Sequence, residues 1–415
     1  MFDLEKLRRD FQNCPCGQKH DFATKDVVIE SGAVNRVGEI LKKNGFGKKL
    51  LFIADNNTLK AAEGILESLS DFELDKRIYP DLRVANYSEV KILIELLNKN
   101  DAVISVGTGS LHDVCRRAAY ELDKPLCLFG TAASMDGFAS YGAPLIDGNL
   151  KSTFDAKSPE VIIADTKILA KAPKELKSAG FGDMIGKYIG LIDWKVSHIV
   201  SGESCCEKVF NLTREATDRI MSLADKITAD DEESAAAVFE ALLLTGFGMS
   251  FVRTSRPASG TEHIVSHFWE CKKLLDGKIS DFHGKKVGVA TLHIMKFYQE
   301  LIKKDKITAH AENVDWDDIY SHYDGMLEEV IKLNTPTTIT DGIDPKVLEE
   351  KWDEIKEIVR SVPTYEQMLD AMKRAGCATT CAEIEVSPEL EQEGLKYHPY
   401  MRRRLSLRRL SNMID

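Results

Sequence analysis

The stretch "AVISVGTGSLHDV", residues 102–114, decides the fold class of this chain. Residues 102–107 are apolar or small and predict a buried strand, and the spacing from about 111 to 122 predicts a helix. Gly107 and Gly109 lie at the junction, where glycine tolerates a tight turn and close backbone approach. A strand that leads directly into a helix indicates an α/β fold with parallel strands.

The same alternation extends on both sides of this stretch. Strands are predicted at 25–31, 48–55, 125–131 and 160–166, and an amphipathic helix at 87–100 with Asn86 or Ser88 as its N-cap. After Leu169 the strand signals stop and helical periodicity continues. We therefore expect a Rossmann-like open parallel sheet at 1–168, which includes an N-terminal extension at 1–20. We expect an all-helical domain at 169–415 and an active site in the cleft between the two.

The composition limits the class of protein. The net charge of −11 argues against a general nucleic-acid binder. No apolar run approaches the length of a membrane span, and the mixed charges of the N-terminus do not fit a signal peptide, so we expect a cytoplasmic protein. One basic cluster, "MRRRLSLRRL" at 401–410, has arginines at helical spacing. This favours a solvated amphipathic helix or a subunit contact over a nucleic-acid patch.

The cysteines allow two interpretations. A reducing compartment predicts that the 9 cysteines are mostly free thiols. "CPCGQKH" (Cys14, Cys16, His20) and "CATTC" (Cys377, Cys381) could form a structural zinc site if the termini met. Neither pair has the common C-x₂-C spacing, so unpaired thiols are the default.

Two loops that follow adjacent strands could bind a dinucleotide. The helix that begins at Ser110–Leu111 can receive phosphate oxygens, although a structural turn explains its glycines equally well. The second loop, "FGTAASMDGFAS" at 129–140, offers small residues, hydroxyls and Asp136. Asp55 also ends a strand, where it could accept from a ribose or cap the next helix. The G-x-G-x-x-G fingerprint is not present in the first loop.

A possible metal site lies in the second half of the chain. His263 and His267 share a helix face, but "HIVSH" lacks the glutamate of zinc proteases, and a solvated face is the alternative. His283 precedes a glycine, and Asp183 follows the glycine-containing segment "AGFG". Two histidines and a carboxylate form a plausible divalent-metal set. Asp183 could instead be an N-cap, and Lys187, one turn later, could balance its charge or hold an anionic substrate.

Five motifs occur in a specific order. They are "GTGSLHD", "TAASMDGFAS", "AGFGDMIGKYIGLIDW", "SRPASGTEH" and "HGKKVGVATL". In this order and spacing the chain resembles the iron-type, metal-dependent polyol dehydrogenase superfamily, which includes glycerol dehydrogenase and dehydroquinate synthase. Within it, the second and third motifs most resemble the sn-glycerol-1-phosphate dehydrogenase family, particularly its bacterial arabinose-operon relatives. One departure is Thr108, which replaces the middle glycine of a G-G-G-S form.

The resemblance implies a nicotinamide cofactor, NAD(H) or NADP(H), and one divalent metal, zinc or nickel. It implies Asp183, His263 and His283 as metal ligands. The implied cofactor contacts are Asp55, Gly107, Gly109, Ser110, Leu111, His112, Asp113, Thr131, Ser134 and Ser140. The implied substrate contacts are Asp136, Asp183 and His267, and we add Lys187, with Asp183 and His267 in the catalytic roles.

These expectations define an activity, namely reversible reduction of dihydroxyacetone phosphate to sn-glycerol 1-phosphate, which belongs to phospholipid biosynthesis. Lys187, Arg253 and Arg256 are candidates for the substrate phosphate, although each could be a surface ion-pair residue. One alternative is a glycerol or other polyol dehydrogenase with an unphosphorylated substrate. Another is a catalytically inactive binding protein with the same fold. The resemblance also implies a homodimer or larger homo-oligomer.

Overall fold

A computed structural model describes residues 3–415 of the chain. The strands are β1 (Asp26–Glu30), β2 (Lys49–Asp55), β3 (Glu73–Tyr79), β4 (Ala102–Gly107), β5 (Leu126–Gly130), β6 (Gly142–Asp147), β7 (Leu150–Asp155) and β8 (Val161–Asp165). The helices up to the end of the sheet region are α1 (Leu4–Phe11), α2 (Val37–Lys43), α3 (Asn56–Ala61), α4 (Ile65–Ser68), α5 (Tyr87–Leu97), α6 (Gly109–Leu122) and α7 (Thr166–Ala170).

The rest of the chain is helical. Its helices are α8 (Lys174–Ser201), α9 (Glu207–Met221), α10 (Glu232–Val252), α11 (Thr261–Leu275), α12 (His283–Leu301), α13 (Trp316–Ser321), α14 (Leu327–Asn334), α15 (Pro345–Glu350), α16 (Trp352–Arg360), α17 (Tyr365–Arg374), α18 (Pro388–Tyr397) and α19 (Leu407–Leu410). Within residues 3–415, no named strand follows β8. The prediction of an α/β part followed by a helical part is confirmed.

The main sheet is parallel throughout and has the strand order β1-β8-β5-β4-β2-β3. Every residue of β4 is buried, as expected for a strand that is covered on both faces. The five predicted strands correspond to β1, β2, β4, β5 and β8, and Asn86 is the N-cap of α5. The edge strand β3 was not predicted, because the charges in its sequence, "ELDKRIY", interrupt the apolar pattern.

Strands β6 and β7 form a separate antiparallel hairpin that was also not predicted. Its turn contains Gly148, which adopts a φ of +63°. The hairpin follows the loop at 131–140 and carries Lys151 towards α11, where the lysine pairs with Glu270. It therefore brings a charged residue of the sheet region to the helical half.

The expectation that no apolar run approaches the length of a membrane span is wrong for helix α10, which is long and apolar enough to cross a membrane by length and composition alone. Its most apolar window is, however, 78% buried inside the protein. The helix packs against α9 and against the loop at 137–139. The apolar surface of α10 is therefore mostly buried in the protein core.

Helices α8 and α12 cross with their backbones in close contact, because both carry glycine at the crossing. A Cβ atom built on Gly284 would lie 1.9 Å from the carbonyl oxygen of Ala179. One built on Gly182 would lie 2.5 Å from the carbonyl oxygen of Gly284. Asp183 and His283 are the neighbours of these glycines, so the crossing brings their side chains together.

The chain termini pack in ways that the sequence did not indicate. Helix α1 and the segment after it lie against the helical half, where Phe11 stacks on Phe251 with ring centroids 4.5 Å apart. The prediction of a solvated amphipathic helix at 401–410 is wrong, because only Leu407–Leu410 is helical. Arg409 is fully buried and pairs with Glu312 at 2.9 Å. The division into domains at 168 and 169 stays a prediction.

Candidate active site

A cavity of about 980 Å³ lies between the carboxyl ends of the strands and the helical half. Its lining combines residues of the sheet region, the β6–β7 hairpin and helices α11 and α12. Among the lining residues are Asp55, Gly109, Ser110, Leu111, Asp113, Thr131, Ser134, Lys151, Glu270, His283 and Lys286. This is the edge at which open α/β sheets bind ligands, so the cleft is where the site was predicted.

The start of helix α6 is open to this cavity. Gly109 adopts a φ of +43°, and a Cβ atom built there would have nothing within 4 Å. No side chain caps the helix, and although the Leu111 N–H donates to the Thr108 carbonyl, the N–H groups of Gly109 and Ser110 are available to a ligand. The Thr108 hydroxyl instead bonds the Ser134 hydroxyl at 2.8 Å and ties the two loops together. This arrangement suits a pyrophosphate at a helix N-terminus.

Asp55 is the N-cap of helix α3, which was one of the two roles predicted for it. Its Oδ1 accepts from the Thr58 backbone N–H at 2.8 Å, and the Thr58 hydroxyl accepts from the Asp55 N–H at 3.0 Å. The residue also lines the cavity, so the cap does not remove it from ligand contact.

Three of the predicted cofactor residues, Gly107, His112 and Ser140, do not line the cavity. His112 is fully buried, with Nδ1 bonded to the Ser105 hydroxyl at 2.9 Å, and burial lowers its pKa to about 3. The Ser140 hydroxyl donates to the Gly142 carbonyl at 2.7 Å. The His112 and Ser140 side chains therefore support the loops through hydrogen bonds and do not line the cavity.

Arg116 is the centre of that support. Its buried guanidinium donates to the Gly137 carbonyl at 2.6 Å and to the backbone and hydroxyl of Ser140. It also pairs with Asp113 at 3.3 Å, although burial raises the pKa of this carboxyl to about 6. Arg116 thereby fixes the loop that carries Asp136.

Asp183, His263 and His283 converge from three different helices. Asp183 Oδ1 lies 3.4 Å from His263 Nε2 and 3.9 Å from His283 Nε2. Asp183 is fully buried in α8, His263 lies in the first turn of α11, and His283 begins α12. Glu262 Oε1 lies 2.5 Å from the other ring nitrogen of His263. A carboxylate behind a histidine is the usual outer support of a metal ligand, so this set fits a divalent metal with open positions.

Lys187 lies between two carboxylates. Its Nζ is 2.7 Å from Asp136 Oδ2 and 2.9 Å from Asp183 Oδ1, and its side chain is fully enclosed. Burial would raise the pKa of Asp183, but Lys187 and the two histidines lower it well below its usual range. The geometry favours charge balance over contact with an anionic substrate.

His267 lies beside the metal set. Its ring centroid is 5.6 Å from that of His283, and its buried Nε2 has no hydrogen-bond partner among the described residues. Burial, followed by the positive charges of Lys151 and Arg402, lowers its pKa well below the ordinary value. The imidazole is therefore neutral, with a nitrogen available for a ligand.

Three cations that the sequence did not single out lie beside Glu270 or near His267, and we call them the cationic group: Lys151, Lys286 and Arg402. Lys151 Nζ and Lys286 Nζ each lie 3.0 Å from a Glu270 oxygen. Arg402 donates to the Lys151 carbonyl at 2.7 Å. Glu270 thus faces two lysines, and the third cation, Arg402, lies near His267. Two sequence features could have indicated the cationic group, namely Lys286 in the fifth motif and the basic run at 401–410.

The remaining phosphate candidates lie elsewhere. Arg256 is buried in an ion pair with Glu203, with Nε 2.8 Å from the carboxylate, and donates to the Leu405 carbonyl. Arg253 is exposed at the end of α10. Neither belongs to the cationic group.

Comparison with known proteins places the chain in a family. A model of "iron-containing alcohol dehydrogenase" matches residues 28–173. A glycerol-1-phosphate dehydrogenase [NAD(P)+] of Halalkalibacterium halodurans is 30% identical over 97% of this chain and 96% of its own length. The chain belongs to the glycerol-1-phosphate dehydrogenase family. A family member from Methanothrix thermoacetophila is 36% identical over 65% of this chain and 75% of its own length.

Solved structures show that the family fold extends over nearly the whole chain. The NADH-dependent butanol dehydrogenase A of Thermotoga maritima matches with a TM-score of 0.60 and 16% identity, over 95% of this chain and 96% of its own. Glycerol dehydrogenase from Schizosaccharomyces pombe matches with a TM-score of 0.53 and 18% identity, over 95% and 97%. The predicted membership of the glycerol-1-phosphate dehydrogenase family, and its fold, are confirmed.

Proposed function

We propose that the chain catalyses the reversible reduction of dihydroxyacetone phosphate to sn-glycerol 1-phosphate with NAD(H) or NADP(H) and one divalent metal. The observation that carries this proposal is the position of the cationic group beside the Asp183–His263–His283 set. A phosphorylated substrate needs both features at once, since its phosphate must be bound while its C2 oxygen lies at the metal set. The relatives named above support the same activity.

The dinucleotide would lie along the loops at the strand ends. Its pyrophosphate would accept hydrogen bonds from the first N–H groups of α6, and Thr131 and Ser134 line the same cavity. Asp55 would lie at the adenosine end. The nicotinamide would carry the hydride, and the chain would orient the reactants and supply the electrostatic environment.

Asp183, His263 and His283 would hold zinc or nickel. The chemistry that a bound divalent metal supplies is Lewis-acid polarisation of the C2 oxygen. The chain's own contribution is orientation, because Glu262 fixes the His263 ring and Lys187 places one positive charge between two buried carboxylates. Asp136, on the loop held by Arg116, would bind a substrate hydroxyl.

The substrate phosphate would be bound by Lys151, Lys286 and Arg402. The three cations and Glu270 together carry a net positive charge, which a dianionic phosphate would complement. His267 lies between this group and the metal set, and its neutral ring can donate to or accept from the substrate through Nε2. In the reduction, this nitrogen would relay a solvent proton to the C2 oxygen.

The test is NADH and NADPH oxidation by the full-length chain with dihydroxyacetone phosphate and with dihydroxyacetone, followed by chiral analysis of the product. We expect a much higher kcat/KM for the phosphate and a product of the sn-1 configuration. Equal or better turnover of dihydroxyacetone would instead support the polyol dehydrogenase alternative. Loss of turnover on chelation that zinc or nickel restores would exclude an inactive binding protein.

We also infer a cytoplasmic homo-oligomer. The nine cysteines, all within the described residues, are free thiols, which suits a reducing compartment. Light scattering of the purified chain measures the assembly, and a monomeric mass would contradict this inference.

A further inference from the structure

A second cluster of metal-binding side chains lies about the N-terminal segment, outside the cleft. It consists of Cys14, Cys16, His20 and Cys206, whose ligand atoms all lie within 4.8 Å of one another. Cys14 Sγ is 3.5 Å from Cys206 Sγ, and His20 Nε2 is 3.1 Å from Cys16 Sγ and 3.4 Å from Cys206 Sγ. In a tetrahedral zinc site these separations are about 3.8 Å between sulfurs and about 3.6 Å between sulfur and nitrogen. The four atoms already have nearly this spacing.

The orientation of His20 supports the same interpretation. Its Nδ1 lies 3.0 Å from the Phe251 carbonyl oxygen, so Nδ1 carries the proton and donates. Nε2 is then the lone-pair nitrogen, and it faces the three thiols. Histidines that bind a metal through one ring nitrogen usually donate the N–H of the other to a carbonyl or carboxylate oxygen.

The local backbone suits thiolate ligands. Cys206 is the N-cap of α9, where the helix dipole favours a negative charge, and its side chain makes no capping hydrogen bond. Gly17 adopts a φ of +75° and donates its N–H to the Cys14 carbonyl, which reverses the chain and returns His20 to Cys16. The position of Cys206 therefore follows from the start of α9, whereas the positions of Cys14, Cys16 and His20 follow from the turn at Gly17.

The cluster also has a structural task. Residues 12–25 contain no helix or strand, and this segment holds α1 and Phe11 against α10. Without regular backbone pairing, the segment must be fixed by side-chain contacts. A metal that joined it to the start of α9 would close a loop of nearly two hundred residues.

We propose that Cys14, Cys16, His20 and Cys206 bind one structural zinc ion. This site is separate from the metal set of the cleft and does not depend on the proposed activity. The fourth ligand is Cys206, and not Cys377 or Cys381, which contact the Ser178 carbonyl and His293 instead. Three thiolates and one imidazole form a closed set with no open position, as structural zinc sites have.

The experiment compares full-length wild type, Cys16→Ser and the matched control Cys205→Ser. Cys205 adjoins Cys206 in sequence but is outside the cluster, and because Cys16 is exposed we expect its serine variant to keep the fold. We expect wild type to hold a zinc that resists removal, Cys16→Ser to lose one zinc per chain, and Cys205→Ser to lose none. Elemental analysis after gel filtration measures this content.

Cobalt substitution gives a second readout that a folding defect cannot imitate. Tetrahedral Co²⁺ with thiolate ligands should give intense visible bands and a sulfur-to-cobalt charge-transfer band in the wild type, both weakened in Cys16→Ser. Asp183→Asn should leave the charge-transfer band unchanged, because the cleft set contains no sulfur. Equal zinc content in wild type and Cys16→Ser, a charge-transfer band that Cys16→Ser leaves unchanged, or a Cys14–Cys206 disulfide found by mass spectrometry would each overturn the proposal.

Discussion

Gly284 in α12 lies against Ala179 in α8, so close that a Cβ atom on the glycine would be 1.9 Å from the alanine carbonyl oxygen. The obstacle is backbone and cannot rotate away. Any side chain at 284 must therefore push the two helices apart. His283 and Asp183 lie beside this contact, so their separation depends on it.

We predict that Gly284→Ala weakens metal binding in the cleft by at least tenfold and lowers kcat/KM, because it displaces His283 from Asp183. Isothermal titration with zinc and steady-state kinetics measure the two effects. Gly342→Ala is the control, since a Cβ atom there would have nothing within 4 Å. Equal zinc affinity in both variants would show that the crossing does not set the site geometry.

Lys187→Met tests the charge-balance role. Removing the cation leaves Asp136 and Asp183 buried without compensation, and we expect a loss of about 3–5 kcal/mol in the free energy of unfolding. Lys195→Met, in the same helix but in a partly exposed pair with Glu207, should cost about 1 kcal/mol or less. Urea unfolding distinguishes them. A stable Lys187→Met enzyme with a raised KM for the phosphorylated substrate alone would indicate phosphate contact instead.

Arg402→Gln tests the cationic group. We expect KM for dihydroxyacetone phosphate to rise about ten- to a hundredfold, the effect of one lost hydrogen bond to a charged group. Activity with dihydroxyacetone should stay nearly constant. Arg403→Gln is the neighbouring control, because Arg403 is exposed and donates to the Leu333 carbonyl away from the cavity. A similar loss with both ketones would remove Arg402 from phosphate binding.

His267→Ala and His283→Ala should separate proton relay from metal binding. The His283 variant should lose the cleft metal, whereas the His267 variant should keep it and lose about a hundredfold or more in kcat, as expected for a general acid or base. Metal content and kcat are measured on the same samples. If His267→Ala releases the metal and His283→Ala does not, the assignment is wrong.

His112 should make the stability depend on pH. Burial lowers its pKa to about 3 in the folded chain from 6.5, so below 6.5 the unfolded chain binds a proton that the folded chain does not. Stability contributed by the neutral ring is therefore lost as the pH falls from 6.5 towards 3. Relative to His112→Asn, wild type should lose about 1.4 kcal/mol more between about pH 7.5 and about pH 5.5. Parallel urea titrations of the two proteins check this, and identical pH slopes would refute it.

The sequence was sufficient to predict those elements whose structure depends on a local pattern of residues. Buried apolar runs identified β1, β2, β4, β5 and β8, whereas the charged edge strand β3 carries no such run. Asp183, His263 and His283 were predicted as metal ligands from the family motifs. Two of them also lie next to a glycine in the sequence, as His283 does before Gly284. The cationic group could not be predicted, because Lys151 and Arg402 are 251 positions apart and meet only through tertiary packing. Cys206 joins His20 across 186 positions for the same reason.

Lys187 gives Asp136 and Asp183 a counter-ion that belongs to the chain itself. This positive charge is present whether or not an ion from solution is bound, so we expect the polypeptide to complete folding before it binds metal. We then expect exchange of one divalent ion for another to require no unfolding. The identity of the ion in the cell would follow from local supply, and a single preparation of the protein could be reloaded with several metals and compared directly.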